Sequence, residues 1–451
     1  MQTERYRKQN FLNTTFEILW RLSIFLLPWQ TRWFQGAKLG GWNWEQGSAS
    51  VYASWLLIMS VVILGFWQKR KKISPILTLK ISGAMFVFVA ISILASNFED
   101  RALIAIIQWW LQVSLLFFFA LTIYQAGISV KKLAFWFILS LIPQILLGFW
   151  QYYEQLVVGS KWLGIAAQLP ENQGVSVIEH GLFRVLRIYG GFPHPNIFGG
   201  WVAIGFIVSL WLAATAVSKW RALSFSLISC FLSVAILLSY ARSAWIAASV
   251  GVLVLFIIRI RRLLKTRQKT DSSEFISFQF FIIALVSSIF IASAVAVTQA
   301  DHLATRFNPA ERLEAKSLEA RFSGLRLGLE ILKNNLWLGT GPNAELTKAV
   351  SADEKLSAPI EPPHNVFFLA LIDFGLVGLM LMIVFLAGSQ KAFVHKLKEV
   401  FMSKEMLLPV ISSLFFLSLF DHYLWSLWSG QVLLMFGIML AFKKETDHPS
   451  S

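Results

Sequence analysis

Charge and cysteine are what this chain has least of. Of its 451 residues 14% are charged and 56% hydrophobic, more apolar surface than the core of a soluble domain uses. The one cysteine, Cys230, lies inside an apolar run, which excludes an intramolecular disulfide and a cysteine-based metal centre. There is no Asp-x-Asp pair, zinc-ligand spacing, internal repeat or low-complexity tract. Composition therefore points to an all-α, polytopic membrane protein.

Apolar runs of about the 17 to 25 residues that cross a ~30 Å hydrocarbon core occur near 13–30, 49–67, 76–95, 102–125, 132–152, 197–217, 221–239, 243–259, 277–299, 365–388, 406–424 and 427–442. They predict about twelve transmembrane helices. The first run holds Glu17 and Arg21 at i,i+4 spacing and no small-residue cleavage site follows it, so it reads as a membrane helix rather than a cleaved signal. A net charge of +15 raises the question of nucleic acid, but the charge sits in short blocks between apolar runs. These are Arg5 to Lys8, Lys69 to Lys72, Lys131-Lys132, Lys219/Arg221, Arg259 to Lys269, Lys391 to Lys404 and Lys443-Lys444. The alternate connections at 96–101, 239–242 and 424–427 carry almost no Lys or Arg. By the positive-inside rule both termini are cytoplasmic, and the partner is membrane, not nucleic acid.

Two outer connections, about 153–196 and 300–364, are much longer than the rest, and ordered loops of such length usually carry function. They organise the chain as 1–196, with the first five helices and first long loop; 197–390, with helices six to ten and the loop 300–364; and 391–451, with the last two helices. Within the second loop Leu313, Leu318, Phe322, Leu325, Leu329 and Leu332 recur at helical spacing beside charged residues, predicting an amphipathic helix along the outer membrane surface. Leu338-Gly-Thr-Gly-Pro342 then reads as a turn.

The polar motifs gather at the outer ends of the spans. Arg242 stands in Ser239-Tyr-Ala-Arg-Ser-Ala-Trp245, and Arg321 and Arg326 lie on the surface helix. Each arginine alone reads equally as a snorkelling or solvated charge. The loop around the second pair is nearly neutral, so anion binding would have to come from particular residues. His364-Asn365 follows two prolines, with Asn365 placed to cap the next helix, and Asp373 lies two turns further in, where an acid needs a partner from the Arg or His cluster. Pro193-His194-Pro-Asn196 is built alike: Asn196 is read as a helix cap, Gly199-Gly200 as a close helix approach, and His194 as structural. Guanidinium groups bind phosphate oxygens bidentately and never lose their charge. A nearby histidine with an ordinary pKa near 6.5 can take a proton from a hydroxyl. The set fits transfer of a group from a lipid-linked phosphate to an alcohol, without a metal.

Pro193-His-Pro-Asn196, Ser239 to Trp245, Arg321 followed by Gly328 to Gly341, and Pro363-His364-Asn365 with Asp373-Phe-Gly-Leu-Val-Gly378 resemble the O-antigen ligase and O-antigen polymerase superfamily, in the family order. That resemblance implies an inverting, GT-C-type glycosyltransferase with no cofactor, moving a glycan from an undecaprenyl diphosphate carrier to a hydroxyl of a lipid (such as lipid A-core) or protein acceptor. This would happen at the outer face of the bacterial inner membrane. It makes Arg242 and Arg321 the diphosphate ligands, His364 the group that positions or deprotonates the acceptor, and Arg326 a supporting phosphate contact, with Asn365, His194, Asn196 and Asp373 around the substrate. Ala241-Arg242 stands where relatives have Ser-Arg, and Asp373 where many have Glu. A polymerase extending the carrier-linked glycan shares all these features. A small-solute transporter would place its ionisable groups at the bilayer midplane instead.

Overall fold

The computed structural model describes residues 2–69, 75–181, 183–266, 272–350, 354–388 and 405–442. Each apolar run falls on a helix: α1 Gln2–Leu26, α2 Ala53–Lys69, α3 Pro75–Ala95, α4 Asp100–Gln125, α5 Val130–Glu154, α6 Pro195–Ala214, α7 Lys219–Leu238, α8 Arg242–Thr266, α9 Ser272–Thr298, α12 Val366–Gly388, α13 Leu407–Phe420 and α15 Trp428–Phe442. Between them lie α10 Ala300–Thr305, α11 Arg312–Asn334 and α14 Tyr423–Ser426. Among the described residues seven helices, α4 to α9 and α12, are long and apolar enough to cross a membrane, while α2, α3, α13 and α15 hold apolar stretches of 10–17 residues. In α1 the Glu17–Arg21 pair closes at 2.7 Å. The basic blocks at 391–404 and 443–444, with residues 70–72 and 267–269, lie outside the described residues.

Two antiparallel hairpins interrupt the helices, and neither is anticipated by the apolar periodicity. In the first, β1 Arg32–Leu39 pairs with β2 Trp42–Tyr52 across Gly40-Gly41, whose φ values of 59° and 88° are what a two-residue hairpin turn demands. β2 occupies the start of the run read at 49–67, so α2 begins only at Ala53. The second, β3 Val177–His180 with β4 Phe183–Leu186, sits in the first long connection. Glu179 on it receives Arg312 of α11 at 2.5 Å and Arg184 at 3.3 Å, joining the two long connections.

α6 is the central post, buried along its length, with Trp201 and Trp211 fully enclosed. A Cβ at Gly199 would come within 2.9–3.0 Å of Ser239, Ala241 and Ala244, and one at Gly200 would collide with the Tyr423 hydroxyl. The absence of side chains there lets α6 lie directly on the α7–α8 turn and on α14, as the Gly-Gly pair suggests. At the far end of α6, Trp211 Nε1 donates to Glu405 at 3.0 Å, and Glu405 pairs with Arg259 at 2.7 Å and Arg262 at 3.3 Å.

α11 is the expected amphipathic surface helix. Gly324, Gly328 and Ile331 pack inward, Gly328 against Pro363, Phe368 and Ile372. Phe322, Leu325 and Leu329 stay exposed, the arrangement of a helix with one face toward lipid. α12 is broken at Gly375 (φ 59°, ψ −171°). The chain at 336–341 docks into the break: Gly341 N donates to the Asp373 carbonyl at 2.9 Å, Leu376 N to that of Leu336 at 2.9 Å, and Val377 N to that of Trp337 at 3.0 Å. Gly339 and Gly341 take positive φ, as the Gly-Thr-Gly turn predicts.

Candidate functional site

One polar network runs across the end of the bundle where α5, α7, α9 and α13 finish and α6, α8 and α12 begin. Its first half is cationic. Tyr240, in the tight α7–α8 connection, is held in the left-handed region at φ 49°, a strained conformation for an aromatic residue. The strain turns two carbonyls outward: Arg187 Nε donates to the Ser239 oxygen at 2.8 Å and Arg306 Nε to the Tyr240 oxygen at 3.1 Å. Arg242, the first residue of α8, donates to the Arg306 carbonyl at 3.1 Å and pairs at 3.0 Å with Glu314, which also receives Arg306. Glu314 is buried on the inner face of α11, and Arg321, two turns on, adds its positive charge to the field at Arg306. Burial pulls the Arg187 guanidinium down to about 9, with further repulsion from Arg306 and Arg242. Burial also lowers Arg306, against the opposing pull of Glu314. Arg242 and Arg306 pair with Glu314 and Arg187 lies in its field, while Arg321 makes no hydrogen bond or ion pair among the described residues; the positive charge is in excess, and an incoming polyanion relieves that repulsion.

The second half is built on histidine and carboxylate. Asp421, between α13 and α14, is 4% exposed. It accepts Asn196 Nδ2 at 2.9 Å and its own neighbour's backbone, His422 N, at 2.9 Å, and lies 3.6 Å from His364 Nδ1. His364 Nε2 meets the Glu361 carboxylate at 3.1 Å. The His422 ring sits edge-on to His364 with centroids 5.0 Å apart and shares a 2.6 Å hydrogen bond with Ser426 Oγ. Burial alone would depress His364; Asp421 and Glu361 reverse this and raise it to about 9. Burial would raise Asp421, but His364 holds it well below the usual carboxylate range. Burial lowers His422 to about 4 against the opposing pull of Asp421, and His194 to about 3, where Arg187 adds to the effect of burial. The resting site thus carries an imidazolium at His364 flanked by two carboxylates, and neutral rings at His422 and His194.

Asn196 joins the halves. Its Oδ1 accepts Arg187 Nη2 at 2.8 Å while its Nδ2 reaches Asp421. This corrects the expectation that Asn196 caps α6. His194 is the cap: its Nδ1 accepts Asn196 N at 3.0 Å, its Nε2 shares a 2.8 Å hydrogen bond with Ser176 Oγ, and Pro195 fills the first helical position. The structural reading of His194 fits this geometry. Asn365 does cap α12, accepting Phe368 N at 2.9 Å and donating to the Leu419 carbonyl at 3.2 Å.

Arg321 reaches the network through its charge alone, and two further residues fall outside it. Arg326 is exposed and makes no hydrogen bond or ion pair among the described residues. Five positions past Arg321, it lies about 140° round the helix. Asp373 was expected to pair with a cluster Arg or His. It is fully buried and accepts Trp425 Nε1 at 2.6 Å instead. Arg187, Arg306, Glu314, Glu361, Asp421 and His422 enter the site without having been singled out in the sequence. His364, Asp421 and His422 bring ligand atoms within 4.8 Å of one another, a donor set that can hold a divalent ion.

No curated protein matches the chain. The family model for O-antigen ligase matches residues 227–383, about a third of the chain. The matched stretch contains Arg242, Arg321 and His364 and stops short of Asp421. Over this stretch the chain is similar to the O-antigen ligase family.

Proposed function

We propose that the protein is a membrane glycosyltransferase that moves a glycan from undecaprenyl diphosphate to an acceptor hydroxyl on the outer face of the inner membrane. The observation that carries this reading is the continuity of the network: guanidinium groups suited to a diphosphate and a His–Asp pair suited to a hydroxyl share one membrane end through Arg187 and Asn196. Arg242 and Arg321, with Arg306 beside them, bind the diphosphate; its negative charge displaces Glu314 from Arg242. The acceptor hydroxyl takes the place of Glu361 at His364 Nε2. As Glu361 withdraws it takes the Nε2 proton and releases it to water, so that His364 is a neutral ring with a free Nε2, and Asp421 holds it as in a His–Asp dyad. The acceptor oxygen then attacks the anomeric carbon and its proton passes to Nε2. The bond from that carbon to the phosphate oxygen breaks, and the electron pair leaves on undecaprenyl diphosphate, where the arginines stabilise it. A single displacement inverts the anomeric centre.

The test is transfer by the purified protein in lipid from a polyprenyl-diphosphate-linked glycan, with lipid A-core, protein and carrier-linked glycan offered as acceptors. Labelling of lipid A-core or protein assigns a ligase, and elongation of the carrier-linked glycan a polymerase. No carrier release with native donor and any acceptor removes the reading and favours a transporter. Turnover in chelator supports metal-free transfer; loss restored by a divalent ion would give His364, Asp421 and His422 a metal to hold.

A further inference from the structure

At the opposite end of the bundle α5 and α7 pack on either side of the last turn of α6 and leave a cavity of about 570 Å³ between them. Phe135, Trp136, Leu212, Val217, Phe225 and Ile228 make its apolar wall, while Lys131, Lys132 and Arg221 stand at its rim. All three cations are exposed. No acidic side chain lines the cavity, and none of the three makes an ion pair among the described residues. The first turns of α5 and α7 converge here, capped by Ser129 and Ser218, which leaves the other first-turn N–H groups without intrahelical partners and the positive ends of two helix dipoles toward the same place. Phe135, Val217 and Trp220 are exposed beside it, Val217 at 88% and Trp220 at 81%, as expected of a surface facing lipid at headgroup depth.

From this charge complementarity we infer that the cavity is a binding site for one anionic phospholipid, its phosphate between Lys131, Lys132 and Arg221 and its upper acyl chain along Phe135, Leu212 and Phe225. A zwitterionic lipid would bring an ammonium into a rim that is already cationic. Basic pockets between helices at one membrane surface bind anionic headgroups in this way. The site lies at the other membrane surface from the His364 network and depends on the membrane assignment alone, not on the proposed reaction.

The test is native mass spectrometry of the full chain released from bilayers of equal phosphatidylethanolamine and phosphatidylglycerol. The wild type should retain one phosphatidylglycerol. Lys131→Gln/Lys132→Gln/Arg221→Gln should lower that retention on the order of a hundredfold. Ala216→Trp, which fills the apolar part and keeps the cations, should also lower it. Neutralising Lys161, Lys316 and Lys333 elsewhere should leave it unchanged, with melting temperatures confirming that each variant folds. Equal retention of phosphatidylethanolamine by the wild type, unchanged retention in the triple variant, or an equal loss in the distant control would overturn the assignment.

Discussion

His364 is the residue on whose protonation the proposed reaction depends most directly. Held near 9 by Asp421 and Glu361, it is an imidazolium at neutral pH and becomes a base only when Glu361 moves away. Glu361→Gln should therefore shift the alkaline midpoint of transfer from about 9 toward the ordinary value near 6.5 and raise the rate at neutral pH; an unmoved profile would separate Glu361 from the proton. Asp421→Asn keeps a hydrogen-bonding group but loses the charge that holds the ring, and should lower turnover by about 10²- to 10⁴-fold, with the acceptor KM less affected than kcat. The same pair sets stability. A raised histidine stabilises the fold fully below its unfolded value near 6.5, and that contribution is lost as pH rises through about 9. The lowered Asp421 contributes above its unfolded value near 4 and loses this on acidification. Thermal melts should show a plateau between these limits, and His364→Ala should flatten the alkaline side.

Among the elements, the broken α12 and the α11 surface helix hold the site in place. A Cβ at Gly375 would meet the Trp337 carbonyl and Gly339 N, whereas Gly41, also at positive φ, has open space around it. Gly41→Ala should cost only the conformational strain of about 1–2 kcal/mol, and Gly375→Ala distinctly more, read as melting temperature. The helices were legible because a bilayer-length apolar run is a strong signal, and the α11 stripe because its period is 3.6. The first hairpin was not, although Gly40-Gly41 between aromatic-rich segments is a recognisable turn signal. Asp421-His422 is not legible because it falls at the end of the apolar run 406–424, inside an expected span rather than in a connection. Arg187 and Arg306 could not be told from solvated loop charges, since their role comes from burial under distant segments. Asn196 looked like a cap because a proline precedes it; only the fold shows His194 taking that role and leaving the Asn196 amide to bridge two clusters.

Over the whole molecule the polar groups divide between two ends: the Arg–His network at one, and the Glu405 ion cluster with the basic cavity at the other. Glu405 is 1% and Arg259 2% exposed, and removing one partner of a buried pair costs about 3–5 kcal/mol. Glu405→Ala should therefore lower thermal stability by that order while leaving the transfer chemistry of surviving protein intact. The end-to-end arrangement followed from the charge pattern of the sequence, whereas the joining of two long connections through Glu179 and Arg312 did not, since neither loop carries a pairing signal. The most direct measurement of the central claim is release of undecaprenyl diphosphate by purified protein in lipid, comparing wild type with Arg242→Ala, Arg321→Ala and Arg321→Lys. Release by the wild type and its loss in all three variants, including the lysine that keeps charge without the bidentate fork, is the predicted result. Undiminished release by Arg242→Ala and Arg321→Ala would contradict the account.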